Sequence, residues 1–392
     1  MNSTDSPQPD GTRIVRGTGG DVLLLSMRRL DDLVAFCLPY ELEDVLQEVT
    51  GADRVDVGGR AALELARRVY KLAVLATRSR RFARAVAPFP STVNLDRDYA
   101  LFFPVFNHAH ELYALASVPG WRARCRKAAC FISELWIQQL PGYLLDLLAE
   151  FDHVFLGVQH PVAEVARITG RPCTYLPLAT DVLRFAPWPE PPARSIDVCN
   201  IGRRSTITHA ALVDLARARR IFYFYDTVAA SGADLRQRTF RVDDPNEHRL
   251  LLASALQRSR YYIANRARVN EPEFTQGRDE ISGRFYEGAA AGTVMLGEPP
   301  RSEEFTRQFD WPDAVIPLPF DSPGVGDLIA ALDRDPDRTA RIRRDAVRNA
   351  ALRHDWVHRL GAVFETLGLP PTQAMRDRAA RLRSLAEGVP GT

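Results

Sequence analysis

Short apolar runs rich in β-branched residues alternate with helical patterns along almost the whole chain. Residues 21–26 have the composition of a buried strand, whereas residues 60–85 repeat their apolar side chains at helical spacing. Such alternation predicts βαβ units, in which helices cover a parallel sheet. The expected strands are 21–26, 54–57, 99–106, 128–133, 153–157, 173–176, 197–201, 221–225, 261–264, 293–296 and 314–317. The expected helices are 60–85, 141–150, 161–169, 208–218, 247–259 and 324–332.

A proline-rich segment interrupts this pattern near residue 187. Residues 186–194 contain four prolines, which stiffen the chain and indicate an exposed connector. The predicted fold class is α/β, with two Rossmann-like domains whose parallel sheets face each other across a cleft, and ligands bind at the carboxyl ends of such strands. The predicted segments are a disordered N-terminus at 1–19, an N-terminal Rossmann-like domain at 20–187, a C-terminal Rossmann-like domain at 188–365 and a helical tail at 366–392.

Charge and lysine content exclude several classes of function. The 51 basic and 49 acidic residues leave a net charge of +2, so the chain as a whole has no field to attract nucleic acid or an anionic membrane. The only lysines are Lys71 and Lys127. The second half therefore lacks the lysine of a Walker-type phosphate loop and of pyridoxal chemistry. We expect no nucleic-acid partner.

Cysteine usage and the terminal sequence bear on the cellular compartment. The five cysteines are widely spaced and form no Cys-x-x-Cys pair, which favours a reducing environment. The first residues, MNSTDSPQPDGTR, lack the apolar core of a secretory signal. No run of about 18 apolar residues is present to form a membrane span. We therefore expect a soluble, cytoplasmic protein, and the sequence does not indicate its oligomeric state.

The segment 279–298 carries the most specific chemistry. It predicts a loop, a helix of small residues from about Gly283, a C-cap at Gly292 and then a buried strand. The free amide N–H groups and positive dipole of such a helix N-terminus form an anion site suited to a diphosphate. Arg278 and Arg284 flank this site and are placed to hold phosphate oxygens bidentately.

Glu287 lies one helical turn beyond Arg284. At this position its carboxylate can accept hydrogen bonds from ribose hydroxyls. The residues alone leave a second interpretation open, in which Arg284 and Glu287 form only a surface ion pair at i,i+3 spacing.

This segment resembles the donor-site signature of GT-B glycosyltransferases of the group 1 superfamily. Residues 284–287, Arg-Phe-Tyr-Glu, followed by Ala-Ala-Ala-Gly at 289–292, are similar to the subgroup that has Arg-x-Phe-Glu at this point. The resemblance implies that Glu287 binds the ribose of a nucleotide. The family's second acidic residue, a glutamate eight positions earlier, falls on Asp279, which is implied to have a catalytic or sugar-binding role, with Glu280 as the alternative.

Two further stretches, within about residues 99–320, support the resemblance. Residues 175–187 are similar to the family's hinge signature, Pro-Asn-Gly-Val-Asp…Phe-x-Pro, with Asp181 and Pro187 at the same spacing. Asn200-Ile201-Gly202-Arg203-Arg204 resembles the family's strand that ends in Gly-Arg. The resemblance implies that Gly202 allows close backbone approach. Because no lysine follows, Arg203, Arg204 and Arg284 are expected to hold the phosphates, and the alternative is that Arg203 and Arg204 are solvated loop charges.

Two histidines follow a predicted strand in the same half of the chain. His108 and His110 are similar to a His-x-His of many relatives and are candidates to bind acceptor hydroxyls or to transfer a proton. A metal pair and an ordinary structural role are the alternatives, but no third metal ligand follows at a standard spacing. Glu134 and His160 also come directly after predicted strands and are weaker candidates.

Together these features predict a glycosyltransferase that moves a sugar from a nucleoside diphosphate-sugar to an unidentified small-molecule or glycan acceptor. The expected mechanism is metal-independent, and the family resemblance favours retention of the anomeric configuration. The sugar nucleotide is a co-substrate, and no cofactor is expected. Two alternatives stay open: a nucleotide-sugar epimerase on the same fold, and a non-catalytic donor-binding subunit of a partner transferase.

Overall fold

The computed structural model describes residues 11–87, 89, 91–227 and 241–389. The chain divides into two compact units. Unit 1 comprises Met1–Asp32 and Leu46–Leu176, and unit 2 comprises Leu33–Val45 and Pro177–Thr392. Each unit contains one largely parallel sheet with helices, so the predicted α/β class with two Rossmann-like sheets is confirmed. The cleft expected between the two domains stays a prediction.

Unit 1 contains a seven-stranded sheet in the order β1-β3-β2-β4-β5-β6-β7. All neighbouring strands are parallel except β1 and β3, which are antiparallel. The strands that follow β2 in the chain lie on both sides of it, first β3 and then β4, so the direction of winding reverses at β2. The strands are β1 Arg13–Val15, β2 Val22–Ser26, β3 Asp53–Asp56, β4 Tyr99–His108, β5 Cys125–Glu134, β6 His153–Leu156 and β7 Cys173–Tyr175.

Strand β1 corrects the expectation of a disordered segment at 1–19. Its Ile14 pairs with Val55 of β3, and the neighbouring Arg16 forms an ion pair with the buried Asp53 at 2.8 Å. Apolar side chains on an edge strand and a buried carboxylate therefore order this stretch. Residues 1–10 of the predicted segment lie outside the described residues.

The helices of unit 1 differ from prediction at residues 60–85 and 141–150. Residues 60–85 form two helices, because Arg78 adopts a left-handed backbone (φ +53°) and Ser79 then caps the second helix by accepting from Phe82 N. Residues 141–150 likewise form a short α-helix and a 3-10 turn, Asp146–Glu150. The helices are α1 Cys37–Thr50, whose first part belongs to unit 2, α2 Arg60–Thr77, α3 Arg80–Val86, α4 Trp121–Arg124, α5 Gly142–Leu145 and α6 Val162–Thr169.

Unit 2 contains a five-stranded, fully parallel sheet in the order β12-β11-β10-β8-β9. Its core consists of side chains from the sheet and its covering helices, such as Val198, Tyr261, Leu296 and Ile329. Because both faces of a parallel sheet are covered, its strands carry near-continuous apolar runs, which the sequence pattern detects. The strands are β8 Ile196–Asn200, β9 Tyr223–Tyr225, β10 Ser259–Ile263, β11 Val294–Gly297 and β12 Ile316–Pro317.

The helices of unit 2 are more numerous than the pattern predicts. None of the described helices, in either unit, is both long and apolar enough to cross a membrane. The helices are α7 Val182–Phe185, α8 Thr206–Arg217, α9 Pro245–Gln257, α10 Pro272–Thr275, α11 Gly283–Ala290, α12 Glu303–Gln308, α13 Val325–Asp333, α14 Pro336–Arg353, α15 Trp356–Thr366 and α16 Gln373–Gly388.

The stretch from Pro177 to Arg194 is fixed to unit 2 by hydrogen bonds. Gln257 donates to the carbonyl oxygens of residues 184, 185 and 186, and Arg194 donates to four carbonyl oxygens, including that of Ser259 at 2.7 Å. Asp181, the acidic residue of the hinge signature, accepts from the buried Arg378 of α16. These contacts place the division between the units at Leu176 and Pro177, before the proline-rich segment.

Candidate functional site

The sheet of unit 2 fixes where a ligand is expected. Strand β8 has β9 on one side and β10 on the other, so successive connections leave it in opposite directions. Ligands of open α/β sheets bind outside the carboxyl ends of the strands at such a reversal. The loop that follows β8 carries Gly202, Arg203 and Arg204. The predicted phosphate loop therefore lies at the expected ligand position of this sheet.

Gly202 and Arg284, which come from two separate predicted motifs, lie in contact. Gly202 has φ +81°, and a Cβ on it would lie 2.5 Å from Nη2 of Arg284. Nη1 of Arg284 donates to the carbonyl oxygen of Arg203 at 3.4 Å. The left-handed backbone favours glycine at this position, and a larger residue would also displace the guanidinium of Arg284.

The three predicted phosphate-binding arginines differ in charge environment. Arg203 forms an ion pair with Glu271, and Arg204 forms one with Asp226. Arg284 is half-buried, and no carboxylate within residues 11–87, 89, 91–227 and 241–389 forms an ion pair with it. A half-buried guanidinium without a counter-charge attracts a phosphate most strongly, so Arg284 is the best phosphate ligand of the three.

Helix α11 begins beside this loop. Its N-cap residue is Ser282, but the Ser282 hydroxyl donates to the carbonyl oxygen of Asn265 at 2.8 Å and accepts nothing from the first turn. Gly283 packs closely on Leu38 of α1, since a Cβ there would lie 2.6 Å from Leu38 Cδ2. Because no side chain caps this helix start, the amide N–H groups of its first turn remain available to donate hydrogen bonds to an anion.

Asp279, the predicted catalytic carboxylate, lies in the loop before α11. It accepts from the backbone N–H of Arg301 at 3.1 Å, and its other oxygen lies 3.4 Å from Nε of Arg266. Arg266 also pairs with Glu298 at 2.9 Å. Glu280, its alternative, is buried. Arg278, the other arginine predicted to flank the anion site, donates to the side chain of Gln276 at 3.2 Å.

Glu287, the predicted ribose ligand, is held in a buried ion pair with Arg249 of α9. Tyr262 on β10 also donates to it, at 3.5 Å. Glu287 is only 7 % exposed. This arrangement contradicts the alternative in which Glu287 pairs with Arg284 on the surface.

Arg249 binds a second carboxylate, Glu41, which lies on α1. Nε of Arg249 donates to Glu41 Oε2 at 2.7 Å, and Nη2 donates to Oε1 at 3.2 Å. Nη2 also donates to the Thr180 hydroxyl at 2.9 Å, and the Trp356 indole donates to Glu41 at 3.1 Å. One guanidinium thus fixes two buried carboxylates.

Burial sets the electrostatics of this group. Removal from water raises the pKa of Glu41, and the Arg249 charge opposes that rise. Burial alone would lower the pKa of Arg249, but the two carboxylates outweigh it and raise that pKa above its ordinary value. Sequence reasoning missed Glu41 and Arg249 because nothing local marks either residue: 208 positions separate them.

A family model covers most of these residues. Residues 247–365, which include Arg249, Arg284 and Glu287, match the model described as glycosyl transferase-like. The match covers less than a third of the 392 residues. The glycosyl transferase-like segment comprises α9 to α15 together with β10, β11 and β12, and therefore forms most of unit 2.

Three solved structures share low similarity with the chain. Anabaena HepE in complex with UDP is 13 % identical, with 89 % of this chain and 99 % of that chain covered and a TM-score of 0.47. A glycosyltransferase from Rickettsia africae is 9 % identical, with 88 % and 97 % covered and a TM-score of 0.45. TarM is 9 % identical, with 68 % and 54 % covered and a TM-score of 0.43. No curated protein sequence matches the chain.

The contact between Gly202 and Arg284 can be tested by Gly202→Ala. The added methyl group strains the left-handed backbone and displaces the guanidinium, so we expect the affinity for a nucleoside diphosphate to fall about tenfold, or ~1.4 kcal/mol. Gly361→Ala is the control, because Gly361 lies in a helix with open space around its Cα, and calorimetric titration is expected to give the unchanged affinity. Equal affinities for Gly202→Ala and the parent would contradict the contact.

The histidines of unit 1 also lie where a sheet reverses its winding. Strand β4, next to β2, ends at His108. Side-chain atoms of Asp31, His108 and Glu111 lie within 4.8 Å of one another. His110 is not part of this cluster and lies with Nδ1 3.3 Å from Arg67. The structure thus gives His108 two acidic neighbours that spacing in the sequence did not reveal.

Glu111 has a structural explanation within that cluster. Its two oxygens accept from the backbone N–H of Asn107 at 2.6 Å and from the Asn107 side chain at 3.0 Å. These bonds tie the end of β4 to the start of the 3-10 helix Ala109–Ser117. Burial raises the pKa of Glu111 to about 8, so the carboxyl group is largely protonated at neutral pH.

Both histidines are neutral bases at neutral pH. Burial lowers the pKa of His108 and, together with the Arg67 charge, lowers that of His110. Glu134 and His160, the two weaker candidates, both contact Trp136. The Trp136 indole donates to Glu134 at 3.0 Å, and its ring centroid lies 4.9 Å from that of His160. Unit 1 therefore gathers several polar side chains near the ends of β4, β5 and β6.

Histidine variants test whether these groups serve the reaction. We expect His108→Ala to lower turnover about 100-fold, as loss of a general base does, and His110→Ala to lower it less, both without a change in donor affinity. Because burial lowers the pKa of His108, the acid limb of its pH profile is expected below 6.5. His153→Ala is the matched control, since His153 lies at the opposite, amino-terminal end of β6. Full turnover in both variants would leave these histidines with structural roles only.

Proposed function

We propose that this protein transfers a sugar from a nucleoside diphosphate-sugar to an acceptor, with the donor bound by unit 2. The observation that carries this proposal is the position of Arg284: its guanidinium has no described carboxylate partner and lies against the Gly202 loop at the reversal of the sheet. The same residue lies in the segment that matches the glycosyl transferase-like model.

The proposed chemistry follows from charge. As the bond between sugar and diphosphate breaks, negative charge grows on the leaving diphosphate. Arg284 and the amide N–H groups of α11 are preorganised to stabilise that charge, and such electrostatic stabilisation contributes most of the rate enhancement in many enzymes. In this proposal Arg284 supplies the positive charge at the diphosphate, so the reaction proceeds without a divalent metal.

The remaining roles rest on the position of each side chain. Glu287, fixed by Arg249, accepts hydrogen bonds from the ribose hydroxyls, and Asp279 contacts the sugar. The acceptor is assigned to unit 1, where neutral His108 can accept the proton of an attacking hydroxyl. The resemblance of the 279–292 segment to retaining relatives favours retention of configuration.

Thermal unfolding with nucleotides tests the donor proposal. The protein is melted with UDP, GDP, ADP, CMP and TDP and with their common sugar conjugates, and one base is expected to raise the midpoint. A ligand at about 100 times its dissociation constant adds roughly 2.7 kcal/mol to stability, which a melting curve detects. The Gly202→Ala variant serves as a control that should shift less. No shift with any nucleotide would overturn the proposal.

Slow hydrolysis separates an enzyme from a subunit that only binds the donor. Incubation of the protein with the sugar nucleotide identified above, in the absence of acceptor, is expected to release free sugar and nucleoside diphosphate, because water replaces the acceptor. Binding without any release of sugar would favour the donor-binding subunit over the transferase.

A further inference from the structure

The apolar surface of the described chain is concentrated on α2 and α3. Five of the ten large apolar side chains that the described residues expose lie between positions 65 and 86. Leu65, Leu72 and Leu75 are each 63–67 % exposed, and Phe82 and Val86 on α3 are also exposed. Exposed apolar residues are ordinary when scattered, but a contiguous group indicates an interaction surface.

The three leucines share one face of α2. Positions 65, 72 and 75 are separated by seven and three residues, which places them on one side of a helix with 3.6 residues per turn. The opposite side of α2 is buried through Leu63, Ala66 and Tyr70. The helix therefore has two apolar faces, and only the inner one packs against unit 1.

Basic residues surround the outer face. Residues 60–86 contain eight basic residues and one acidic residue, a net charge of +7, whereas the whole chain has a net charge of +2. All other residues together thus carry a net charge of −5. Seven of the eight basic side chains are exposed. Arg80 and Arg84 pair with Asp146 and Glu150. No carboxylate in the described ranges forms an ion pair with the other five: Arg60, Arg68, Lys71, Arg78 and Arg81.

We infer that the α2–α3 surface, comprising residues 60–86, binds the surface of an anionic lipid bilayer. Leucine side chains on a helix that lies in the interface enter the acyl boundary, while the flanking arginines and the lysine bind the anionic headgroups. The break at Arg78 lets α3 turn relative to α2 while Phe82 and Val86 remain exposed. This inference is independent of the sugar-transfer proposal.

Charge complementarity favours a membrane over the other occupants of such a face. Two copies of the chain that met through this surface would bring two basic surfaces together, since Asp146 and Glu150 neutralise only Arg80 and Arg84, and this opposes association. A nucleic acid would use the basic residues but leave the leucines in water. An anionic bilayer satisfies both the charge and the apolar area.

Vesicle sedimentation with the full chain tests the inference. The probes are vesicles of phosphatidylcholine alone and vesicles with about one third phosphatidylglycerol, at low and high salt. We expect binding only to the anionic vesicles, with weakening by salt. Equal binding to both kinds of vesicle, or none to either, would overturn the inference.

Two triple variants distinguish binding through this surface from non-specific adsorption to vesicles. Leu65→Ser/Leu72→Ser/Leu75→Ser is expected to reduce the vesicle partition coefficient at least tenfold, while circular dichroism stays unchanged because these side chains are exposed. The matched control is Ile207→Ser/Phe222→Ser/Leu352→Ser, three exposed apolar residues of unit 2, which should bind vesicles as the parent does. If the leucine variant binds like the parent, or if it only dissociates a dimer in analytical sedimentation, the face is not a membrane surface.

Discussion

Replacing Arg249 with methionine is expected to lower the free energy of unfolding by about 3–5 kcal/mol. Methionine fills a similar volume but removes the charge that lies between Glu41 and Glu287. Both carboxylates are buried, so each would lose its cation without gaining water. The cost of an unpaired buried charge, rather than lost packing, dominates this loss of stability. Urea denaturation followed by circular dichroism measures it.

A matched exposed arginine supplies the control for this experiment. Arg217 is 78 % exposed and pairs with the exposed Asp214 at 3.4 Å, so Arg217→Met should change stability by less than about 0.5 kcal/mol. Combining Arg249→Met with Glu41→Gln and Glu287→Gln should recover much of the loss, because no buried charge then stays unpaired. Equal effects of Arg249→Met and Arg217→Met would contradict the buried triad.

The stability deficit of Arg249→Met should depend on pH with a definite sign. Without the guanidinium, which opposes the effect of burial, the pKa of Glu41 in the folded state rises further above its value in the unfolded chain. Groups shifted in this direction contribute stability at low pH and lose it as the pH rises through the folded pKa. The difference from the parent is therefore expected to be smaller near about pH 5 than near about pH 8.

Replacing Arg284 with alanine should weaken binding of the nucleoside diphosphate while leaving that of the nucleoside nearly unchanged. A hydrogen-bonded charge on phosphate contributes about 1.5–3 kcal/mol, so the affinity for the diphosphate is expected to fall roughly 10- to 150-fold. The guanidinium has no other described ionic partner, so its removal leaves no carboxylate unpaired. Turnover should fall at least as much, because charge on the diphosphate grows in the transition state.

Arg203→Ala, in the loop that Arg284 contacts, is the control for Arg284→Ala. Arg203 pairs with Glu271, and we expect its loss to affect diphosphate affinity less. Calorimetric titration with both ligands measures the difference between diphosphate and nucleoside for each variant. Equal losses for the two ligands in Arg284→Ala would remove the phosphate contact from the proposal.

The sheets could be predicted from the sequence because their strands are short, apolar and buried on both faces. Each of the eleven expected strands corresponds to one of β2–β12. Strand β1 was missed since it has only three residues and is only partly buried. The helix at 60–85 was predicted too long, because an arginine in a left-handed conformation leaves no signal in an apolar pattern.

The candidate site was only partly predictable. Local motifs carry Gly202, Arg284 and Glu287, and the structure brings the first two into contact. Pairing of charges is not a local property: the sequence could not show that Arg203 and Arg204 are neutralised by Glu271 and Asp226. For the same reason it could not show that Glu287 shares Arg249 with Glu41, whose helix precedes most of unit 1 in the chain.

The membership of Leu33–Val45 in unit 2 has a consequence for how the protein is synthesised. Ribosomes add about 5–20 residues per second, so Glu41 emerges roughly 10–40 s before Arg249, which lies 208 positions later. During that interval Glu41 on α1 has no ionic partner, because Arg249 has not yet been synthesised. Unit 2 consequently cannot fold as a separate late module, and a gene fragment that begins at Pro177 would encode a protein in which Arg249 lacks one of its two carboxylates.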